Sequence, residues 1–544
     1  MGLETNMPYL TLLILTPWLG AVLIALLGAT GLDDRLSKII ATAWSLIPLV
    51  LALLVWAGFD TSASDAAALQ FIERVPWINA IKVEYFVGVD GISLPLVILT
   101  TVMTPIAMLA SFGIGERAKW HYALLLMLEG AMLGYFVALN FFFFFIFWEF
   151  SLVPAFFLIQ HWGRHPEKRR SAALTFFVYT MGGSIGLLLL FQFFYLATNH
   201  FGLGTFDLIA LGSLGQGLDP NLPTLQELIF GYVHALGITN VLGYYPLLYS
   251  SIACWAVFIA FAIKLAVWPF HTWLPDTYSE APISTSILLS AVMSKMGAYG
   301  LLRIMLPMLP EASQYAAYPI GMLALAGILA GAFGALRNSN GDIKRMVAYT
   351  SINHMGYVAL AIAAAAAVSG ADLNSRAIAI NGAQMQMVAH GLSTGALFLL
   401  IGMLYQRTNT YQLSEYGGLR KTMPLFSGLM GIALFANLGL PGLAGFVGEF
   451  FIFRGAWASM PLYTILACIG LVVTALALLK LYSKVFNGPL NPQLANTSDL
   501  PIASREFVAI APLIVILIVL GLYPAPIMDL ANQTITALVR VFAS

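Results

Sequence analysis

Charge is what this sequence lacks. Of its 544 residues only 9% are Asp, Glu, Lys or Arg, while 60% are hydrophobic; soluble domains carry about 25% charged residues. This excludes an ordinary soluble domain and points to a polytopic membrane protein. The few charges balance, 25 basic against 25 acidic, which leaves no basic excess for nucleic acid. Cysteine is nearly missing too. Cys254 and Cys468 both sit in apolar runs and read as small buried hydrophobes. Two thiols cannot form the Cys cluster that holds an iron–sulfur centre. No glycine-rich strand-to-helix turn suggests a nucleotide site. The first apolar run, Pro8 to Leu27, has Glu4 and no basic segment before it, so it reads as a retained helix rather than a signal peptide.

A membrane span needs about 20 mostly apolar residues. On that criterion the chain divides into about fourteen expected helices: 8–29, 38–58, 91–112, 119–138, 139–161, 172–196, 246–270, 282–308, 315–336, 343–367, 379–405, 422–456, 461–486 and 505–524. Pro526 to Ser544 reads as a short amphipathic helix at the interface. The connections 59–90 and 197–245 are long, and the second is rich in Gly, Asn and Pro.

The connections segregate by charge. One alternating set holds Arg35, Lys38, Arg117, Lys119, Arg164, Lys168, Arg169, Arg170, Arg337, Lys344, Arg345, Arg407, Arg420 and Lys421. The other holds Arg74, Lys82 and Arg376 with Asp60, Asp65, Glu73, Asp207, Asp219, Glu227 and Asp372. The positive-inside rule places the first set in the cytoplasm, or its equivalent, and both termini opposite. Helices 7 and 12 carry breakers, Pro269 and Pro275 in one, Pro441, Gly442, Gly445 and Gly448 in the other. Proline removes a helix hydrogen bond, and freed backbone cannot face lipid, so the breaks line protein or water. Paired broken helices five apart predict two inverted five-helix repeats, helices 4–8 and 9–13. The expected fold is all-α and membrane-integral. Its divisions are 1–118 (helices 1–3), 119–308 (first repeat), 309–486 (second repeat) and 487–544 (helix 14 and tail).

What charge there is inside the spans is placed where it costs most. Glu149, Lys264, Lys295 and Glu449 interrupt four apolar runs, each at about 2.5–3.5 kcal/mol or more. For Glu149 the bland alternative is a helix end near a headgroup; for Lys264 and Lys295 it is snorkelling to the interface. Lys264 is expected to pair with Glu149. At ~6 Å and an effective dielectric of ~20 the coupling is about 3 kcal/mol, or about two pKa units, so a change of separation would switch the lysine's proton. Lys295 has no acid nearby in sequence, which suits a neutral-state proton carrier. His354 and His390 are each ordinary packing residues if taken alone. Between Lys295 and Glu449 they become relay groups, since imidazole accepts and donates at its two nitrogens. Glu449 is expected to be the terminal exchange group. Glu129 is a possible modulator of Glu149. Lys480 and Lys484 are expected to snorkel, with an exit role for Lys480 as the alternative; Lys344 and Arg345 to mark the cytoplasmic face; Asp276 and His271 to cap the first break.

The segments WEFSLVP around Glu149, KLAVWPFHTWLPDTYSEAP from Lys264, SKMGAYGLLR around Lys295, DIKRMVAYTSINHMGYV around His354, MVAHGLSTGALFLLIGMLYQRT around His390 and LPGLAGFVGEF ending near Glu449 resemble the antiporter-like proton-pumping subunits of respiratory complex I over nearly the whole chain. Within that family the chain resembles the M type, because Glu449 stands where L- and N-type relatives usually carry lysine, and because the lateral C-terminal helix of the L type is missing. The resemblance implies a proton-translocating subunit of an NADH:quinone oxidoreductase. Glu149 and Lys264 would be the first ion pair, Lys295, His354 and His390 a hydrated axis, and Glu449 its far end. It implies no cofactor or metal in this chain, with FMN, iron–sulfur clusters and quinone in other subunits. It implies L-, N- and K-type neighbours and lipid as partners, in a bacterial inner membrane or a thylakoid. The 197–245 connection is longer than the family leads one to expect. Two other readings share the motifs or the composition: a D-type subunit of a multi-subunit Na⁺/H⁺ antiporter, and a membrane scaffold that no longer transports.

Overall fold

The computed structural model describes residues 7–29, 33–62, 69–368, 370–492, 494 and 502–542; Glu4 and Asp65 lie outside them. The chain runs α1 (Tyr9–Ala29), α2 (Asp34–Trp44), α3 (Leu46–Ala57), a hairpin of β1 (Gln70–Ile78) and β2 (Val83–Val89), then α4 (Ser93–Ala110), α5 (Ala118–Val137), α6 (Phe141–Phe150), α7 (Leu152–Trp162) and α8 (Pro166–His200). Short helices α9 (Leu208–Gln216), α10 (Leu225–Ala235) and α11 (Thr239–Leu242) lead to α12 (Pro246–Leu265) and α13 (Trp273–Glu280). Then come α14 (Ile283–Met308), α15 (Pro310–Arg337), α16 (Ile343–Ala366), α17 (Leu373–Thr408), α18 (Pro424–Asn437), α19 (Ala444–Trp457), α20 (Pro461–Phe486), α21 (Ser504–Leu522) and α22 (Ala525–Val539).

Among the described residues 12 helical segments are long and apolar enough to cross a membrane, counting α2–α3 and α6–α7 as one segment each. Two of the expected spans fall outside that count for a physical reason. α16 is long enough but carries Lys344, Arg345, Asn353 and His354. The expected span 422–456 is split into α18 and α19, with 14 residues each.

Burial ranks the helices. The most apolar windows of α17 and α14 are 100% and 94% buried, against 39% in α1 and 33% in α20, so α14 and α17 form the centre and α1, α8, α20 and α21 show Leu, Ile, Val and Phe outward. Outward apolar surface is what lipid demands. Cys254 is buried as expected, but Cys468 is exposed on the outward face of α20, where its thiol donates back to the carbonyl of Thr464 at 3.4 Å.

The two long connections carry structure that the sequence reading left as loop. In 59–90 an antiparallel hairpin pairs Arg74 with Phe86 and Val75 with Tyr85. Its Glu73 carboxylate accepts from the amides of Leu10 (2.7 Å) and Thr11 (3.1 Å), satisfying free donors at the start of α1. Arg74 bonds Glu84 (2.5 Å) and reaches Asp207 (3.2 Å), and Asn140 bridges Asp207, so the hairpin and the 197–245 connection share one face. In 197–245, α10 opens with a capping box, Thr224 and Glu227. The tail helix α22 is not laid out on a surface alone. It packs along α17, with Thr534 Oγ1 accepting from the Gly91 amide (3.1 Å) and Asn532 from Asn381 (3.0 Å).

Candidate functional site

The breaks in helices 7 and 12 fall beside the buried charges, and their freed backbone is accounted for. α12 stops at Leu265, where Ala266 takes a left-handed conformation (φ 60°). The Trp273 indole, at the start of α13, donates to the freed carbonyl of Ile263 at 2.9 Å. In the second break Gly439 and Gly442 adopt φ 79° and 92°, and Asn437 ends α18. Gly445 and Gly448, expected in the break, lie inside α19 instead, where Gly448 lets α19 approach α17: a Cβ there would stand 2.8 Å from the Gln386 Cα. Gly439 serves the site directly, since a Cβ there would sit 2.1 Å from Glu449 Oε2.

Lys264 ends α12 with its side chain 1% exposed, which rules out snorkelling. Its ammonium donates to Ser151 Oγ (3.0 Å) and the Trp148 carbonyl (3.3 Å), and stands 3.7 Å from the centre of the Trp148 ring. The expected Lys264–Glu149 contact is not closed. Glu149 is near enough to act on Lys264 electrostatically, but no direct ion pair joins them, and its buried Oε1 has no hydrogen-bond partner. Trp148, in the last turn of α6, and Ser151, between α6 and α7, hold the lysine in the carboxylate's place. Glu129, on α5, is fully buried with both carboxylate oxygens unpartnered; the neighbouring Thr104 hydroxyl donates to the Thr100 carbonyl at 3.0 Å instead.

Lys295, His390, His354 and Glu449 form one unbroken line. Lys295 is 0% exposed on α14, so it too does not snorkel. It is not solitary: its ammonium meets His390 Nδ1 and the Ser290 carbonyl at 2.5 Å each, and Ser294 Oγ at 3.3 Å. A turn of π-helix at Leu289–Met293 precedes it, a distortion frequent at functional positions. With Nδ1 accepting from the lysine, His390 Nε2 carries the imidazole hydrogen, and it has no protein partner; a water suits such a group. The His390 and His354 rings lie 5.3 Å apart. His354 Nε2 reaches Asn437 Oδ1 (3.2 Å), which takes a hydrogen there, so in the neutral ring Nδ1 accepts from the Gln386 amide (3.1 Å). Glu449 Oε1 stands 3.3 Å from that same Nδ1. A proton shared across that contact rests either on the carboxyl or on the ring. Moving it to Nδ1 turns the contact into an ion pair. Gln386, whose Oε1 is buried without a partner, can then turn its amide to accept.

Several expected roles are corrected. Lys344 does not mark a surface. It is 1% exposed and donates to the Ala281 carbonyl at 2.6 Å, after α13. Asp276 does not cap backbone; it pairs with Arg345 (2.6 Å), and Arg164 pairs with Asp342 (2.6 Å), tying the two halves of the chain together on the Lys/Arg-rich face. His271 keeps a buried Nδ1 without a partner. Arg376 is buried and donates to the carbonyls of Ala365 (2.6 Å) and Ala367 (2.9 Å) at the end of α16. Lys480 is exposed on α20, apart from the line, and Lys484 bonds Asn340. Asn437 and Gln386 escaped the sequence reading. Their signal was present, one amide in the apolar run FANLGLPG and two, Gln384 and Gln386, in AQMQMVAH. Among the described residues no group of three or more metal-ligating side chains occurs.

A mostly helical membrane bundle with two broken helices and a buried Lys–His–His–Glu line defines the class of antiporter-like ion-translocating subunits. Comparison narrows it. Residues 138–476 match the model of the NADH:quinone oxidoreductase/Mrp antiporter membrane family, and residues 36–139 match the amino terminus of NADH-ubiquinone oxidoreductase chain 4. The chain is 33% identical to NADH-quinone oxidoreductase subunit M of Rickettsia prowazekii, over 99% of this chain and 100% of that one. It is 35% identical to F(420)H(2) dehydrogenase subunit M of Methanosarcina mazei, over 99% of each. Among solved structures it superposes on a chain of respiratory complex I from Thermus thermophilus with a TM-score of 0.78 and 25% identity, covering 97% of this chain and 99% of that one. It shares the fold of a chain of the Mrp complex from Dietzia at a TM-score of 0.76 and 19% identity, covering 99% and 100%. The chain therefore belongs to the NADH:quinone oxidoreductase/Mrp antiporter family, as an M-type subunit.

Proposed function

We propose that the chain translocates protons as a membrane subunit of an NADH-quinone oxidoreductase, along a path through Glu149, Lys264, Lys295, His390, His354 and Glu449. The observation that carries this reading is the contact between His354 and Glu449 (3.3 Å) in line with that between His390 and Lys295 (2.5 Å): four titratable groups from four helices, all buried, each within reach of the next or of one water. A scaffold has no use for such costly groups. Glu129 would tune Glu149; Lys480 is exposed and away from the line, which argues against an exit role.

Residues 119–308 and 309–486 would be two inverted repeats, as the matched breaks at 266–272 and 438–443 favour. The energy would come from redox chemistry in partner subunits holding FMN, iron–sulfur clusters and quinone. L-, N- and K-type subunits and lipid would be its neighbours, in a bacterial membrane or a thylakoid. Both termini would lie on the side opposite the Lys/Arg-rich connections. The relatives named after NADH outnumber the one named after F(420)H(2), which favours NADH as the electron donor.

The test has two parts. Gently solubilised membranes should yield this chain together with subunits that carry redox centres; recovery with small antiporter subunits alone would favour the Na⁺/H⁺ antiporter reading. In proteoliposomes, the complex carrying Lys264→Met should keep electron transfer in its hydrophilic arm and lose coupled pumping. Normal pumping by that variant would overturn the proposed path.

A further inference from the structure

A second buried ion pair lies off the line from Lys295 to Glu449. Asp90, between β2 and α4, is fully buried; its Oδ1 accepts from the amides of Ile92 (3.0 Å) and Ser93 (2.9 Å), and its Oδ2 pairs with Arg303. Arg303 Nε donates to the Tyr299 hydroxyl (3.1 Å), which donates to the Phe136 carbonyl (3.0 Å). Tyr299 stands four residues after Lys295 on α14, so the two share a helix face. A second turn of π-helix, Leu301–Met305, contains Arg303. Beside the pair is a cavity of about 220 Å³ lined by Asp90, Ile92, Ser213, Gln216, Arg303 and Thr534, with exposed Leu218 at its rim on the hairpin face. It has room for several waters, at about 30 Å³ each in the liquid. Gln384 donates to the carbonyl of Ile92, a cavity-lining residue, at 3.0 Å and leaves its own buried Oε1 unpartnered, an acceptor that a water would meet.

We infer that Arg303, fixed by Asp90 and Tyr299, is a barrier that stops protons in the outer cavity from running back to Lys295. The inference rests on the proposed proton path. A proton moves along a chain of waters only if each member can accept as well as donate. A guanidinium donates from every nitrogen, accepts at none and does not deprotonate. Waters on either side of it must both turn their oxygens toward it, so the chain reverses direction there and cannot relay. Asp90 lowers the cost of burying the cation, and Arg303 and two amides take three of its four lone-pair positions. Arginine acts as such a barrier in other pores.

The assay is passive proton leak in proteoliposomes of the whole complex, read with a pH-sensitive dye after an imposed pH step and without substrate. Arg303→Gln, which adds an acceptor, should raise the leak several-fold while electron transfer persists. Arg303→Lys, a donor only, should stay near the parent. A parental leak in Arg303→Gln would overturn the barrier. If that variant does not assemble, Asp90→Asn decides by the same readout, since it frees the guanidinium to move; a parental leak there, or failure of both to assemble, would mark the pair as a structural tie instead. Lys264→Met, measured alongside for pumping, separates the two claims. Its normal pumping removes the path, whereas a tight Arg303→Gln beside a non-pumping Lys264→Met removes the barrier alone.

Discussion

At the scale of residues, the site is governed by where each polar atom finds a partner. Lys264, Lys295, His354, His390 and Glu449 are all buried, yet Glu449 Oε2, His390 Nε2 and Gln386 Oε1 have no protein partner. Buried polar atoms are nearly always satisfied, so these three positions call for water, and they lie where a proton would need it. The contact between His354 and Glu449 gives a spectroscopic consequence. A proton passing along the proposed line is held in turn by the Glu449 carboxyl. Infrared difference spectra of the complex should show a carboxylic-acid C=O band that disappears in Glu449→Gln. A spectrum unchanged by that substitution would mean that the proton rests elsewhere. The sequence made the ionisable members of this line legible, since a charge in an apolar run stands out against its surroundings. It did not reveal Asn437 and Gln386, because amides are cheaper to bury than charges and stand out less. Nor did it reveal that the Ser151 hydroxyl and the Trp148 carbonyl, rather than Glu149, take the hydrogen bonds of Lys264.

At the scale of elements, the breaks are held open by small residues and closed off by side-chain caps. Gly439 combines a left-handed φ of 79° with the space that Glu449 Oε2 occupies. Gly439→Ala should therefore leave the complex assembled and depress pumping strongly, whereas Gly428→Ala, where a Cβ meets nothing within 4 Å, should behave as the parent; equal activities would show that the break tolerates a side chain. Farther from the site, Arg407 on α17 grips Glu506 on α21 through two bonds, at 2.9 and 2.6 Å. Removing one partner of a buried pair costs about 3–5 kcal/mol. Arg407→Ala should accordingly shorten the thermal-inactivation half-life of the complex; an unchanged half-life would show that lipid or neighbouring subunits hold α21 instead. Hydropathy placed the long helices within a few residues. It could not reveal the hairpin, whose β1 faces are mostly exposed and lack a clean alternation, nor α9 to α11, which are too short to carry a hydropathy signal.

At the scale of the molecule, two kinds of contact divide the labour. The centre, α14 and α17, is almost wholly buried and carries Lys295 and His390, while α16 and α19 beside it bring His354 and Glu449. The Lys/Arg-rich face carries the ties between halves: Arg164 to Asp342, Arg345 to Asp276 and Lys344 to the end of α13. Charge segregation in the sequence identified that face but assigned all of its cations to solvent, since one-dimensional reading cannot tell a snorkelling lysine from one turned inward. Lys344, turned inward, connects α16, which bears His354, to the end of α13, which follows Lys264, and the more exposed Arg345–Asp276 pair joins the same two helices. Asp276→Asn should loosen that connection and lower the number of protons moved per electron pair without lowering the rate of electron transfer; a parental ratio would confine the tie to assembly.

The central claim is that protons cross on the buried Lys–His–His–Glu line. The most direct measurement is the ratio of protons translocated to electrons transferred, in proteoliposomes containing the complex with His354→Phe, which removes both ring nitrogens from the middle of the line and keeps an aromatic ring in the packing. The account predicts a lowered ratio with electron transfer continuing. A ratio equal to the parent's, in a complex shown to be fully assembled, would contradict it.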